Sequence, residues 1–324
     1  MSFSTRVRFI FIFIFGVVIT LLLSYYFDPE CGIDQCRYVD ANDAELFYSV
    51  NEKISSTYFI FKIYTLAQES SYPYFIAFII NSFIVLILFT SVSEEYFNRI
   101  YLTYVSVPFF YLPGKEFFLF FSVSLIGYAM FCKPSKYRFY LCMLLALISI
   151  LLARYQFALV FIALNYICKS NFDSNKFKGF IISLIVFLVL ASLMTIYKGG
   201  ADELSSLYTE SSIPYAKEIR LYTSGYSMVS SAMRFFIYLI YGFFSPIVET
   251  IRLFRMDTVS PAILISFSSI FMAYYFLKDF GLKVYIIALI SASIVLAPIF
   301  SFIHTRYLLP LMFYIYVYIR YSSK

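Results

Sequence analysis

The sequence predicts an all-α, polytopic membrane protein of about ten transmembrane helices, and three observations carry that expectation. Of 324 residues, 61% are hydrophobic and only 14% are charged. Mean hydropathy is +0.80, far above a soluble domain. Apolar stretches of membrane-spanning size recur along the chain, separated by short polar loops. The bilayer is therefore the solvent that the fold must satisfy, and one continuous transmembrane domain is expected over 1–324.

Taken in order, apolar segments fall at 8–27, 73–93, 98–113, 116–132, 137–153, 155–168, 179–197, 259–277, 282–300 and 305–321. Several are shorter than the ~20 residues a perpendicular crossing needs, which implies tilted or broken helices. The first follows Arg6 and Arg8 like a signal peptide, but it is long, lacks a small-residue cleavage site and precedes further spans, so it reads as an uncleaved helix. Residues 98–132, interrupted at Pro108 and at Leu-Pro-Gly-Lys-Glu 112–116, read as a helical hairpin. Residues 137–168, interrupted only by Arg154, read as another.

Loop charge sets the orientation. With the N-terminus cytoplasmic, one set of loops holds 13 Lys/Arg and 4 Asp/Glu, and the other set holds 12 and 15. Short basic loops belong inside, so the second set is external. The segment 232–248 is apolar but contains Gly242 and Pro246, and Arg252 and Arg255 follow it. A full crossing there would move those arginines inside and reverse everything after them, so a re-entrant or interfacial helix is expected.

Two external loops are long, about 28–72 and 198–258. The first begins acidic, with Asp40, Asp43 and Glu45, and then turns amphipathic through Tyr58, Phe59, Phe61, Lys62, Ile63 and Tyr64, as a segment lying along the membrane surface would. The second contains Arg220 and Arg234.

No Lys/Arg run forms a patch, which excludes nucleic acid. Five cysteines show no zinc spacing and no CxxC, so neither metal nor cofactor is expected. Cys31 and Cys36 fall in the first external loop, where a disulfide is chemically allowed, while Cys132, Cys142 and Cys168 belong in or beside apolar helices as small buried hydrophobes. The 40 Phe and 32 Tyr, with no Trp, supply helix surface and interfacial belts.

Charged groups beside apolar helices cost several kcal/mol unless paired or hydrated, so they are the functional candidates. Lys115 and Glu116 sit at a hairpin tip, Arg154 interrupts the second hairpin, and His304 with Arg306 lies between the last two spans. The assigned topology puts all of them on the external face. Guanidinium offers bidentate donors and permanent charge, which suits a phosphate or diphosphate anion. His304 is the single histidine. As a neutral base, its pKa would be lowered by Arg306, and Asp40, Asp43 and Glu45 are rival bases.

Three stretches carry a resemblance. Tyr-Leu-Pro-Gly-Lys-Glu (111–116) heads a helix and is followed by the hairpin with Arg154; Glu52 through Tyr64 follows an acidic first loop; and His-Thr-Arg-Tyr (304–307) precedes the last span. In these the chain resembles the Wzy/EpsG class of bacterial polysaccharide polymerases, related in architecture to GT-C glycosyltransferases. That resemblance implies an inner-membrane enzyme, active on the periplasmic face, that transfers a growing glycan from undecaprenyl diphosphate to another lipid-linked repeat unit. It implies that Arg154, Arg306 and Lys115 hold the donor diphosphate, with His304 or an acid of the first loop as base. Glu116, Glu45, Arg220 and Arg234 become substrate-binding candidates. Undecaprenyl-diphosphate-linked glycans and membrane lipids are the partners implied, together with the flippase and chain-length regulator of the same pathway. Two other activities stay open: a GT-C glycosyltransferase using a polyprenyl-phosphate sugar, in which Asp40 or Asp43 is the key residue, and a flippase for lipid-linked glycans, for which the mid-span charges are few and one-sided.

Overall fold

The computed structural model describes residues 14, 17, 18, 20 and 21, then 62–89, 114–131, 134–153, 156–173, 176–198, 227–255, 262–300 and 305–322. Asp40, Asp43, Glu45, Arg154, Arg220, His304, Cys31, Cys36, Cys132 and the expected span at 98–113 lie outside these residues.

Among the described residues every regular element is a helix: α1 (Thr65–Gln68), α2 (Pro73–Phe89), α3 (Lys115–Phe131), α4 (Lys136–Ala153), α5 (Gln156–Asp173), α6 (Lys176–Lys198), α7 (Met228–Arg255), α8 (Ala262–Phe280), α9 (Leu282–Ile299) and α10 (Thr305–Ser322). Four of them contain a stretch long and apolar enough to cross a membrane, namely Lys136–Ala153, Lys178–Ile196, Met228–Ser245 and Leu282–Ile299. Shorter apolar stretches run over Pro73–Ile84, Phe117–Met130 and Tyr307–Arg320. The chain groups into two compact units, Met1–Tyr155 with Glu249–Phe271 and Lys324, and Gln156–Val248 with Met272–Ser323.

In the first unit α3 packs along α4, so the helix at Lys136–Ala153 pairs with its predecessor. The reason lies in the side chains. Residues 117–129 of α3 are buried all round, and α4 turns Cys142, Ala146, Ser149, Ile150 and Ala153 inward. These are mostly small groups that let helices approach closely when there is no water to drive association. Met143, Leu144, Leu147, Ile148 and Leu151 point outward and are exposed. The short α1 packs on α2, and Tyr64 at its start is fully buried, donating its hydroxyl to Asn81 Oδ1 at 2.6 Å. Tyr64 thus belongs to the interior of this unit.

The second unit is built on α9 and α10. Residues 291–300 and 307–318 are buried, and α5, α6 and α7 surround them. A helix that is apolar all round sits in the centre. Two polar pairs join helices inside this unit: Asn171 Nδ2 donates to Ser291 Oγ at 3.0 Å, and the Tyr314 hydroxyl donates to Asn165 Oδ1 at 3.1 Å.

The stretch 232–248, expected as a re-entrant or interfacial helix, lies in α7, a single helix of 28 residues, so the re-entrant form is corrected. Two features taken as breaks turn out to be accommodated. Pro246 lacks the N–H that would bond the Gly242 carbonyl four residues back. That carbonyl instead accepts from the Tyr285 hydroxyl of α9 at 3.1 Å, with Ser245 Oγ at 3.4 Å. A neighbouring helix thus satisfies the freed group, as membrane helices require. Gly242 is also a point of close approach, because a Cβ there would sit 2.8 Å from Leu289 Cδ2 and 2.9 Å from Leu308 Cδ2.

Candidate functional site

The helix α7 is inverted relative to a soluble amphipathic helix. Its buried face carries Ser230, Ser231, Arg234, Tyr238, Gly242 and Ser245, whereas Val229, Met233, Phe236, Ile240 and Ile247 are exposed. Polar side chains turned inward and apolar ones outward are what a hydrocarbon solvent selects.

Arg234 is the largest of the fully buried side chains among the described residues. Its Nε donates to the carbonyl of Ala297 at 2.6 Å, and its Nη2 donates to Ser231 Oγ at 3.3 Å, one turn back on α7. The acceptor has a physical reason to be there. α9 ends at Ile299, and Phe300 leaves in extended conformation with φ −110° and ψ 125°. Ala297 therefore lies in the last turn, where carbonyls lose their intrahelical donors and carry the negative end of the helix dipole. A permanent cation on such a carbonyl makes a short, charge-assisted bond.

An aromatic cluster closes the same end of α9. Phe300 stacks on Tyr307 at 4.8 Å between ring centroids, and Phe157 meets Phe300 at 5.1 Å and Tyr307 at 6.1 Å. This cluster ties the start of α5 and the first turns of α10 to the end of α9. Arg306 belongs to the first turn of α10, directly before Tyr307. Arg234 and the backbone of Arg306 are thus brought to one end of the second unit.

Lys115 opens α3 in the first unit and is half-buried, with Glu116 following it in the helix. Gly114 precedes them at φ +134°, a conformation that favours glycine, and so sets how the chain enters α3. The remaining candidates, His304, Arg154, Asp40, Asp43, Glu45 and Arg220, lie outside the described residues.

At the opposite end of α9 stands a second polar cluster that sequence reading did not single out. Asp279 Oδ2 accepts hydrogen bonds from the Tyr316 hydroxyl and from Arg320 Nη1, and Arg320 Nη1 also donates to the Tyr316 hydroxyl at 2.6 Å. Tyr316 and Arg320 are four apart on α10, on one helix face, and that spacing is a sequence signal. The Asp279 partner is 37 residues from Tyr316 and could be found only from the packing. Ser231, three residues before Arg234, had a comparable local signal. The Ala297 carbonyl had none.

Compared with protein-family models, with curated proteins and with solved structures, the chain matches none. The fold and the inverted α7 define the class: a helical, membrane-embedded protein whose interior holds a buried guanidinium.

Proposed function

We propose that the protein is a glycosyltransferase that polymerises undecaprenyl-diphosphate-linked oligosaccharide repeat units on the extracytoplasmic face of a bacterial inner membrane. The observation that supports this reading best is the Phe157–Phe300–Tyr307 cluster, which gathers the ends of three helices beside Arg234. In sequence, His304 and Arg306 lie three residues and one residue before Tyr307. A base and a permanent cation next to one another are what transfer from a lipid diphosphate requires.

In the proposed reaction the acceptor hydroxyl attacks the anomeric carbon of the donor glycan. The bond from that carbon to the diphosphate oxygen breaks, and the lipid diphosphate departs with the electron pair. Arg306 offsets the charge that grows on the leaving oxygens, a contribution largest when the group is already in place before reaction. The hydroxyl proton passes to His304. Arg306→Ala is expected to abolish polymer formed from purified lipid-linked repeat units without lowering the amount of inserted protein. Arg306→Lys should restore only part, since one ammonium cannot reproduce a forked pair of bonds. His304→Gln should lose about 10²–10⁴-fold in rate. The rate falls as pH drops through the pKa of a neutral histidine base, and His304→Gln should remove that limb. Normal polymer from the Arg306→Ala variant would sink the reading.

A further inference from the structure

Arg234 entered as a candidate ligand for substrate, but its contacts describe a different task. A fully buried guanidinium is costly unless its donors find acceptors. Here Nε is committed to the Ala297 carbonyl at 2.6 Å and Nη2 to Ser231 at 3.3 Å. Of these two acceptors, one is on α7 itself and one on the helix that α7 packs against. The contacts further along show the register: Gly242 lies against Leu289 and accepts from Tyr285, so α7 runs antiparallel to α9, with Arg234 opposite the α9 C-terminus.

From that point a continuous set of contacts leads to α10. The Phe300 N–H donates to the Leu296 carbonyl at 3.0 Å, which completes the last turn of α9. The Phe300 ring then stacks on Tyr307, next to Arg306. We infer that Arg234 is a positioning residue: by holding the open C-terminal end of α9 through the Ala297 carbonyl, it sets the Phe300–Tyr307 stack and hence where Arg306 stands at the start of α10. The part concerning Arg306 rests on the polymerase reading, whereas the hold on α9 does not.

Two substitutions separate this role from a ligand role. Arg234→Met fills the volume without a donor, and Arg234→Lys keeps one donor for one carbonyl. The full-length protein in detergent is followed by hydrogen exchange of the peptide containing Phe300 and Tyr307, and by kinetics with lipid-linked repeat units. Arg234→Met should speed exchange there and lower kcat by roughly 10²-fold, the scale expected of an ångström-sized misplacement, with KM held within about threefold. Arg234→Lys should bring back most of the exchange protection and part of kcat. Unaltered exchange in Arg234→Met overturns the inference whatever the activity. So does a rise in KM with kcat retained, which assigns Arg234 to the substrate instead, and so does faster exchange with normal kinetics. A wild-type protein that polymerises nothing sinks the polymerase reading alone, because the exchange arm still decides whether Arg234 holds α9.

Discussion

Two arginines at opposite ends of the same helix pair solve the problem of a charge in an apolar protein differently. Arg320, in the last turn of α10, has a side chain 39% exposed and meets a carboxylate, Asp279. Arg234 is fully buried, and its described hydrogen bonds go to a backbone carbonyl and a hydroxyl. Near water a guanidinium can pair with an opposite charge at small cost, and the pair is worth little because solvent already stabilises both ions. In the interior an ion pair must also repay the desolvation of a second charge. The end of a helix offers partial negative charge that is already dehydrated, which makes the Ala297 carbonyl a favourable acceptor for Arg234 Nε. The comparison teaches that the open end of a helix can take a buried guanidinium donor in this bundle, as a carboxylate does nearer the surface.

The sharpest way to break this comparison is to remove the interior member. Arg234→Ala leaves the Ala297 carbonyl without that donor and opens the space held by the arginine stem. The loss of stability should be about 3 kcal/mol or more, from the cavity and the lost bond together. Denaturant unfolding in detergent measures it, and a loss under about 1 kcal/mol would mean that water or a shift of α9 replaces the guanidinium easily. The next effect is smaller. Tyr285→Phe deprives the Gly242 carbonyl of its shorter contact and leaves the 3.4 Å approach of Ser245. It should cost about 1–2 kcal/mol by the same measurement, provided that Tyr285 is what makes Pro246 tolerable inside α7. The smallest effect belongs to the outer arginine: Arg320→Ala should cost less than about 1 kcal/mol. That difference should shrink further as salt rises from about 0.1 M to about 1 M, because exposed pairs are screened. A loss equal to that of Arg234→Ala would erase the distinction between the two ends.

Helix positions were largely legible because apolar runs bounded by charge leave few alternatives in a membrane. The expected segments at 137–153, 282–300 and 305–321 differ from α4, α9 and α10 by a residue or so at either end. The re-entrant reading of 232–248 failed for an identifiable reason. Glycine and proline signal a break when their own chain must satisfy the backbone, and here another helix does so, through Tyr285, 43 residues beyond Gly242. At Tyr64 local sequence showed no sign of a partner, and packing supplies one, its hydroxyl donating to Asn81. Of the candidate site, local sequence marked the charged residues but not their partners.

What the sequence determined by itself is therefore the solvent, the all-helical class and the rarity of charge, since each follows from composition and from the length of apolar runs. It also marked Arg306 as a residue that needs a reason to be near a membrane, whereas Arg234 became a candidate only through the resemblance. Only the tertiary structure decided that Arg234 faces inward on a helix whose apolar side faces out, that its Nε bonds the Ala297 carbonyl 63 residues away, and that Phe300 stacks on Tyr307. A carbonyl is present at every residue and carries no mark in the sequence. Which one is left open depends on where a helix ends, and which one meets a guanidinium depends on how two helices pack.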